Sequence, residues 1–491
     1  MSAIDSNVPV LVGVGQLLQK PANSADALEP VAMMAEALQR AAADSGAASL
    51  LSKLGSIRVV KGAWPYRDPG RLIANQLNLS PRHTAISSEG GQTPQSLVNQ
   101  ACLDIQAGRV DAIALVGGEG IWSRRRARRN KAVIPYTSDA DAAPAPVLGK
   151  VLSMSSPLEE ERGFEAPINI YPTFESAIRH ARGETIEAHR TRISELWAGF
   201  NKVAVANPYA WVRTPMTAEQ IRTPSDSNRM VGFPYTKAMN SNWDLDQAAA
   251  VILCSAGTAE SLGISRDRWV FPWAGTDAHD TMLISNRDNF HSSAAIRTAA
   301  KACFELANAS VADVAHVDLY SCFPSAVQIS ADAIGLDQSR QLTVTGGLPF
   351  AGGPLNNYVM HGIATMAEVL RSHPADLGLV TANGGFVTKH AIGLYSTEPP
   401  STPFRHRDVQ DEVDCFPTRD VLANYSGPVT IEAYTVMYGH EGAERALVAA
   451  LTPTGERVLT SSNDAALMAA MTTVEHIGRA AEVDPSATVH I

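Results

Sequence analysis

The chain has 491 residues and a mean hydropathy of -0.06, too long for one ordinary domain of ~100–200 residues. Hydrophobic residues make up 45% and charged residues 18%, a balance that fills a core and excludes the disordered and fibrous classes. Lys and Arg number 40 against 50 Asp and Glu, a net charge of -10, so the surface as a whole repels nucleic acid and anionic membrane. The five cysteines (Cys102, Cys254, Cys303, Cys322 and Cys415) are scattered and odd in number. They form no CxxC spacing and no disulfide framework. No basic leader region opens the sequence, and no apolar run reaches the ~20 residues of a membrane span. The expectation is a soluble, reduced, cytoplasmic protein without metal, membrane or nucleic-acid partner.

Apolar runs of strand length alternate with helix-period segments. Residues 9–14 read as a buried strand. Residues 24–45 read as a helix, with Ser24 and Asp26 as capping options and Gly46 after its end. Residues 56–63 are strand-like. Residues 94–107 carry Leu97, Val98, Ala101, Cys102 and Ile105 on one face, with Thr93 suited to the N-cap and Pro94 to the first helical position. A strand follows over 110–116. The order then recurs, with a strand at 269–274, a helix at 293–307, a strand at 314–319, a helix at 361–371 and a strand at 377–381. The near-constant offset predicts two similar α/β halves whose sheets are covered by helices.

Residues 121–238 interrupt this rhythm and read as a long insertion over the first half. Pro399, Pro400 and Pro403 mark 397–405 as a linker. Beyond it, β-rich runs at 429–438, 445–451, 457–460 and 468–476 predict a small all-β unit, a barrel over 406–491. The expected units are therefore 1–266, 267–398 and 406–491.

Three Gly-rich points fall beside strand ends: Glu89-Gly90-Gly91-Gln92 before the helix at Pro94, Gly352-Gly353 before Asn356, and Asn383-Gly384-Gly385. Such points are tight turns, or places where backbone amides and a helix N-terminus meet an oxyanion or carbonyl oxygen.

The two-half repeat with these three points resembles the thiolase superfamily, and within it the sterol-carrier-type thiolases. Gly183-Glu184-Thr185 through Asn207-Pro208 resembles their loop region, and Asn240 to Ile264 the end of their first half. Tyr320-Ser321-Cys322-Phe323 sits where that subfamily has His-Asp-Cys-Phe. Gly352-Gly353 through His361-Gly362 sits where it has Gly-Gly…Gly-His-Pro, and Thr381 to Gly385 where thiolases carry Cys-x-Gly. The resemblance covers residues 5–398. It implies a duplicated mixed-sheet thiolase fold, an acyl-CoA ligand, no permanently bound cofactor, and a homodimer paired through the first-half sheet edge. Residues 406–491 resemble an OB-fold partner, here joined to the chain.

The departures decide the chemistry. The place of the nucleophilic cysteine falls at Gly90, give or take one residue. The second cysteine falls near Thr381 or Asn383, and the first oxyanion-hole residue becomes Tyr320. Of the family's catalytic set His361 alone has a match. Thiolysis or Claisen condensation through an acyl-cysteine is therefore not expected. Three readings remain. In the first, Tyr320 and Tyr358 move protons in a retro-aldol step on a CoA ester, as in thiolase-like aldolases; a phenol with an ordinary pKa of ~10 needs help to act as base. In the second, Cys322 is a relocated nucleophile. In the third, the chain is a silent CoA-binding scaffold. The ligand contacts implied are Gly90, Gly91, Gln92, Gly353, Asn356, Asn383, Gly384 and Gly385. The basic run from Arg124 to Lys131 offers Arg124, Arg125 and Arg128 to the CoA phosphates, or else forms a solvated helix face.

Overall fold

The computed structural model describes residues 4–491. Its first sheet takes the strands in the order Pro9–Leu18, Asp246–Ser255, Ala112–Gly120, Ser56–Val59, His83–Ser87 and Val147–Leu148. Its second takes Val314–Asp318, Leu377–Gly384, Lys389–Ser396, Phe271–His279 and Arg405–Asp408. The two sheets share a plan. In each half the last long strand lies antiparallel between the first strand and the central one, and the central strand pairs in parallel with the second. This is the duplication that the recurring periodicity predicts. The second sheet also takes up Arg405–Asp408, parallel to Phe271–His279, past the expected boundary at 398.

The helices Thr93–Gln106 and Tyr358–Ser372 lie between the sheets, and their apolar faces are buried on both. Pro30–Asp44 covers the outer face of the first sheet, and Ala294–Ala307 that of the second. The helix expected over 24–45 begins at Pro30 instead. Ser24–Asp26 makes one 3-10 turn, and Glu29 is extended, because the proline ring disfavours helical geometry at the residue before it. The helix at 94 begins at Thr93, whose hydroxyl turns back to the Gly90 carbonyl at 2.8 Å rather than capping. The helix expected over 361–371 begins three residues earlier, at Tyr358.

The third sheet runs Arg457–Ser462, Ala443–Leu451, Gly427–Tyr438, Ala480–Val483 and Val489–His490, and a parallel bridge from Ser461 to Thr488 brings its ends together. The strand expected at 468–476 is instead the helix Ala465–Met471. Its Ala, Leu and Met residues favour helix, and the Asp464 side chain accepts from the Leu467 amide at 2.9 Å. The hairpin Met230–Gly232 and Tyr235–Thr236, from the insertion, joins this sheet through Met437. Two buried arginines fix the C-terminal sheet to the rest. Arg457 donates to Glu432 and to the carbonyls of Ser285 and Arg287; Arg179 donates to Glu475 and to the Tyr434 hydroxyl. None of the described helices is long and apolar enough to cross a membrane.

Candidate functional site

The strand His83–Ser87 ends at a turn that feeds the helix Thr93–Gln106. Gly90 holds a φ of 141°, open to glycine alone. Its amide donates to Asn356 Oδ1 at 3.1 Å, and Asn356 Nδ2 donates to the Lys61 carbonyl at 2.8 Å. From the second half, Tyr320 and the turn at Asn383–Gly384 close over the same point. A Cβ at position 91 would lie 2.6 Å from the Tyr320 hydroxyl, and closer still to the Asn383 carbonyl oxygen. A Cβ on Gly384 would lie 3.0 Å from the Gly90 Cα and would strike Gln92 Oε1. The structure thus gathers Gly90, Gly91, Gln92, Asn356, Asn383, Gly384 and Tyr320, and packs them tightly around the turn that opens the helix Thr93–Gln106. Gly385 stands one step away, its carbonyl accepting from the Tyr171 hydroxyl at 3.0 Å. Gly353 packs elsewhere, against Ser241 and Asn242.

The phenols, thiol and imidazole that follow are buried, and burial holds each of them in its neutral form. Tyr320 meets Tyr358 edge to face with centroids 5.5 Å apart. Burial, then the nearby Cys322, push the Tyr320 phenol far above its ordinary value. Tyr358 contacts Thr345 Oγ1 at 2.6 Å and Asp318 Oδ2 at 3.2 Å, and burial and that carboxyl push it up too. Burial pushes the Cys322 thiol up to about 12, so it stays a thiol at neutral pH. His361 Nδ1 faces Gln16 Oε1 at 2.8 Å, and Gln16 Nε2 donates to Thr365 Oγ1. Nε2 of His361 is buried with no protein partner, and burial lowers the ring to about 3.

The basic run forms the helix Ile121–Arg129. Arg125 and Arg129 line a groove of about 1280 Å³ together with Trp211, Arg229, Lys237 and Trp243. Arg125 also pairs with Asp244 at 3.2 Å. Arg124 turns the other way, to the Ala63 carbonyl at 2.8 Å, and Arg128 is exposed outside the groove. Of the three arginines expected at CoA phosphates, the structure puts one in the groove and adds Arg129.

Residues 408–488 match the family model of the thiolase-like protein type 1 additional C-terminal domain. A monomeric SCP2-thiolase-like protein type 1 from Mycobacterium smegmatis superposes with a TM-score of 0.85 and 29% identity, covering 99% of each chain. The chain is a thiolase-superfamily protein.

Other similar proteins share less identity. The Ltp2-ChsH2(DUF35) aldolase shares 16% identity with a TM-score of 0.60, over 80% of this chain and 98% of that one. An acetyl-CoA acetyltransferase from Methanocaldococcus jannaschii is 24% identical over 254 residues, 51% of this chain and 57% of its own length. Set in the thiolase-like frame, three site residues escaped sequence reading. Gln16 orients His361, Asp318 holds Tyr358, and Lys389 donates to the Glu89 carbonyl at 2.6 Å. The one visible signal was Lys389, the lysine that opens a strand buried along its whole length.

Proposed function

We propose that this thiolase-superfamily chain binds an acyl-CoA-type thioester and does not form an acyl-cysteine. One observation carries the second half of that statement: the Tyr320 hydroxyl and the Asn383 carbonyl fill the space that a side chain at position 91 would need. No cysteine sits at the turn, and Cys322 is a buried thiol. The binding half is supported by the groove beside the basic helix. Arg125, Arg129, Arg229 and Lys237 suit phosphate oxygens, and the exposed Trp243 suits an adenine face. The strand order of residues 427–490, with a helix between its third and fourth strands, supports an OB-type barrel. The His83–Ser87 strand carries Val147–Leu148 on its outer side, which supports a monomer over the homodimer expected from the sequence.

Titration calorimetry with CoA and acetyl-CoA tests the reading, together with a thiolysis assay and intact-protein mass spectrometry. Binding without thiolysis and without a mass increase is expected. Absent binding overturns the ligand; an acyl adduct overturns the loss of covalent chemistry. The Tyr320–Tyr358 pair favours one further reading, a carbon–carbon cleavage of a CoA ester in which these phenols donate protons. Both stay protonated at rest, so a phenol that gives its proton to the departing α-carbon must regain one from the substrate's β-hydroxyl as the carbon–carbon bond breaks. Tyr358→Phe with unchanged cleavage of such an ester removes that role.

A further inference from the structure

Five cationic side chains of Arg or Lys are buried among the described residues: Arg58, Arg179, Arg287, Arg457 and Lys389. Each arginine has a carboxylate within ion-pair distance, namely Asp104, Glu475, Asp280 and Glu432 in turn. Lys389 has none. It is 5% exposed, and the hydrogen bond its ammonium makes is to the Glu89 carbonyl. A buried charge without its opposite is costly to fold, and two of its three protons are left for another acceptor.

The space beside Lys389 is a cleft of about 240 Å³ behind the Gly90 turn. Ser88, Thr93, Ser96, His279 and His406 line it with Lys389. Three features suit an anion there. The helix Thr93–Gln106 opens onto the cleft with its N-terminal end, which carries partial positive charge. The Ser88 hydroxyl supplies a donor, since the Ser87, Thr93 and Ser96 hydroxyls already donate within the protein. Of the two carboxylates that line the cleft, Asp277 is already engaged on both oxygens, by Ser96 on one and by Asn99 and His406 on the other. The other, Asp408, stands exposed and accepts from the Gln410 amide, and Lys150 is also exposed along the cleft. We propose that this cleft binds a small oxyanion, a carboxylate or phosphate group, with the Lys389 ammonium as its anchor. The inference does not rest on CoA binding in the groove, which lies on other residues.

The test titrates the full chain with inorganic phosphate and, separately, with succinate, by calorimetry. Saturable binding of one is expected and names the source, phosphate or carboxylate. Lys389→Met should weaken it about tenfold or more, the loss of one charge-assisted contact. Should that variant not fold, the wild type carries the test: reductive methylation of Lys389, read by peptide mass, should slow when the anion is present. Binding by neither anion overturns the proposal. So does equal binding by wild type and Lys389→Met, or methylation of Lys389 that the anion leaves unchanged.

Discussion

Around Gly91 the buried titratable side chains stand without opposite charge, whereas in the insertion they stand in pairs. Tyr320, Tyr358, Cys322 and His361 are all held neutral by burial. In the insertion, His189 lies between Glu175 at 2.5 Å and Glu184 at 2.6 Å, and Arg192 grips Glu184 with two nitrogens. Burial alone would raise Glu175, yet hydrogen bonds from His189, Tyr235 and Gln328 hold it below its ordinary value. The depth is similar and the outcome opposite. A buried group keeps its charge when partners replace the water it loses. The insertion spends its charges on a joint between the helices 167–181, 186–206 and 324–334. The turn holds groups that can donate or accept a hydrogen bond but do not titrate near neutrality.

The largest break of this contrast is expected at Glu175. Glu175→Gln should cost ~3–5 kcal/mol of unfolding free energy, because His189 and Arg192 are left with one carboxylate between them. Urea titration monitored by tryptophan fluorescence measures it, and a loss under ~1 kcal/mol would show that the network carries no net charge pairing. Gly91→Cys ranks next. It restores a sulfur near the thiolase position but overpacks against Tyr320 and Asn383, at ~1–3 kcal/mol. The variant should be destabilised and still form no acyl adduct; full stability with an adduct on the introduced thiol would mean the turn is open. In the groove, Arg125→Ala and Arg129→Ala should each weaken CoA by about three- to tenfold in calorimetry, as expected for half-exposed phosphate contacts.

How much of this could be read in advance divides along the same line. The duplicated halves were legible because each element repeats its own local pattern, such as the stripe Leu97, Val98, Ala101, Cys102 and Ile105. The expectation of no acyl-cysteine rests on where one helix starts, and that start, at Thr93, falls one residue from the expected Pro94. Helix 465–471 reads wrongly as a strand, since Met and Leu next to the β-branched Thr472-Thr473-Val474 fit either period. The partners of the site stayed hidden for a different reason. Gln16 meets His361 across 345 residues of sequence, and Lys389 meets Glu89 across 300. Such contacts are set by how the halves dock, and no spacing encodes that.

The smallest effect is a cancellation, and it tests whether burial alone governs the neutral groups. His361 titrates near about 3 in the fold and at ~6.5 unfolded. Between these values the unfolded chain binds the proton, so this group's stability is complete above the higher value and lost as pH falls through the window. Glu119, at the end of the strand Ala112–Gly120, is pushed by burial up to about 7, against ~4.3 unfolded. There the folded chain holds the proton, and its contribution is lost as pH rises. From pH ~4.3 to ~6.5 the two slopes oppose at up to ~1.4 kcal/mol per pH unit each, and the wild-type profile gains almost nothing from either. Glu119→Gln should unmask a stability that climbs with pH across that range, and His361→Asn one that declines. Urea midpoints taken through the window read both. Difference curves that run parallel to the wild type would mean that water reaches the two groups and that their neutrality is not a consequence of burial.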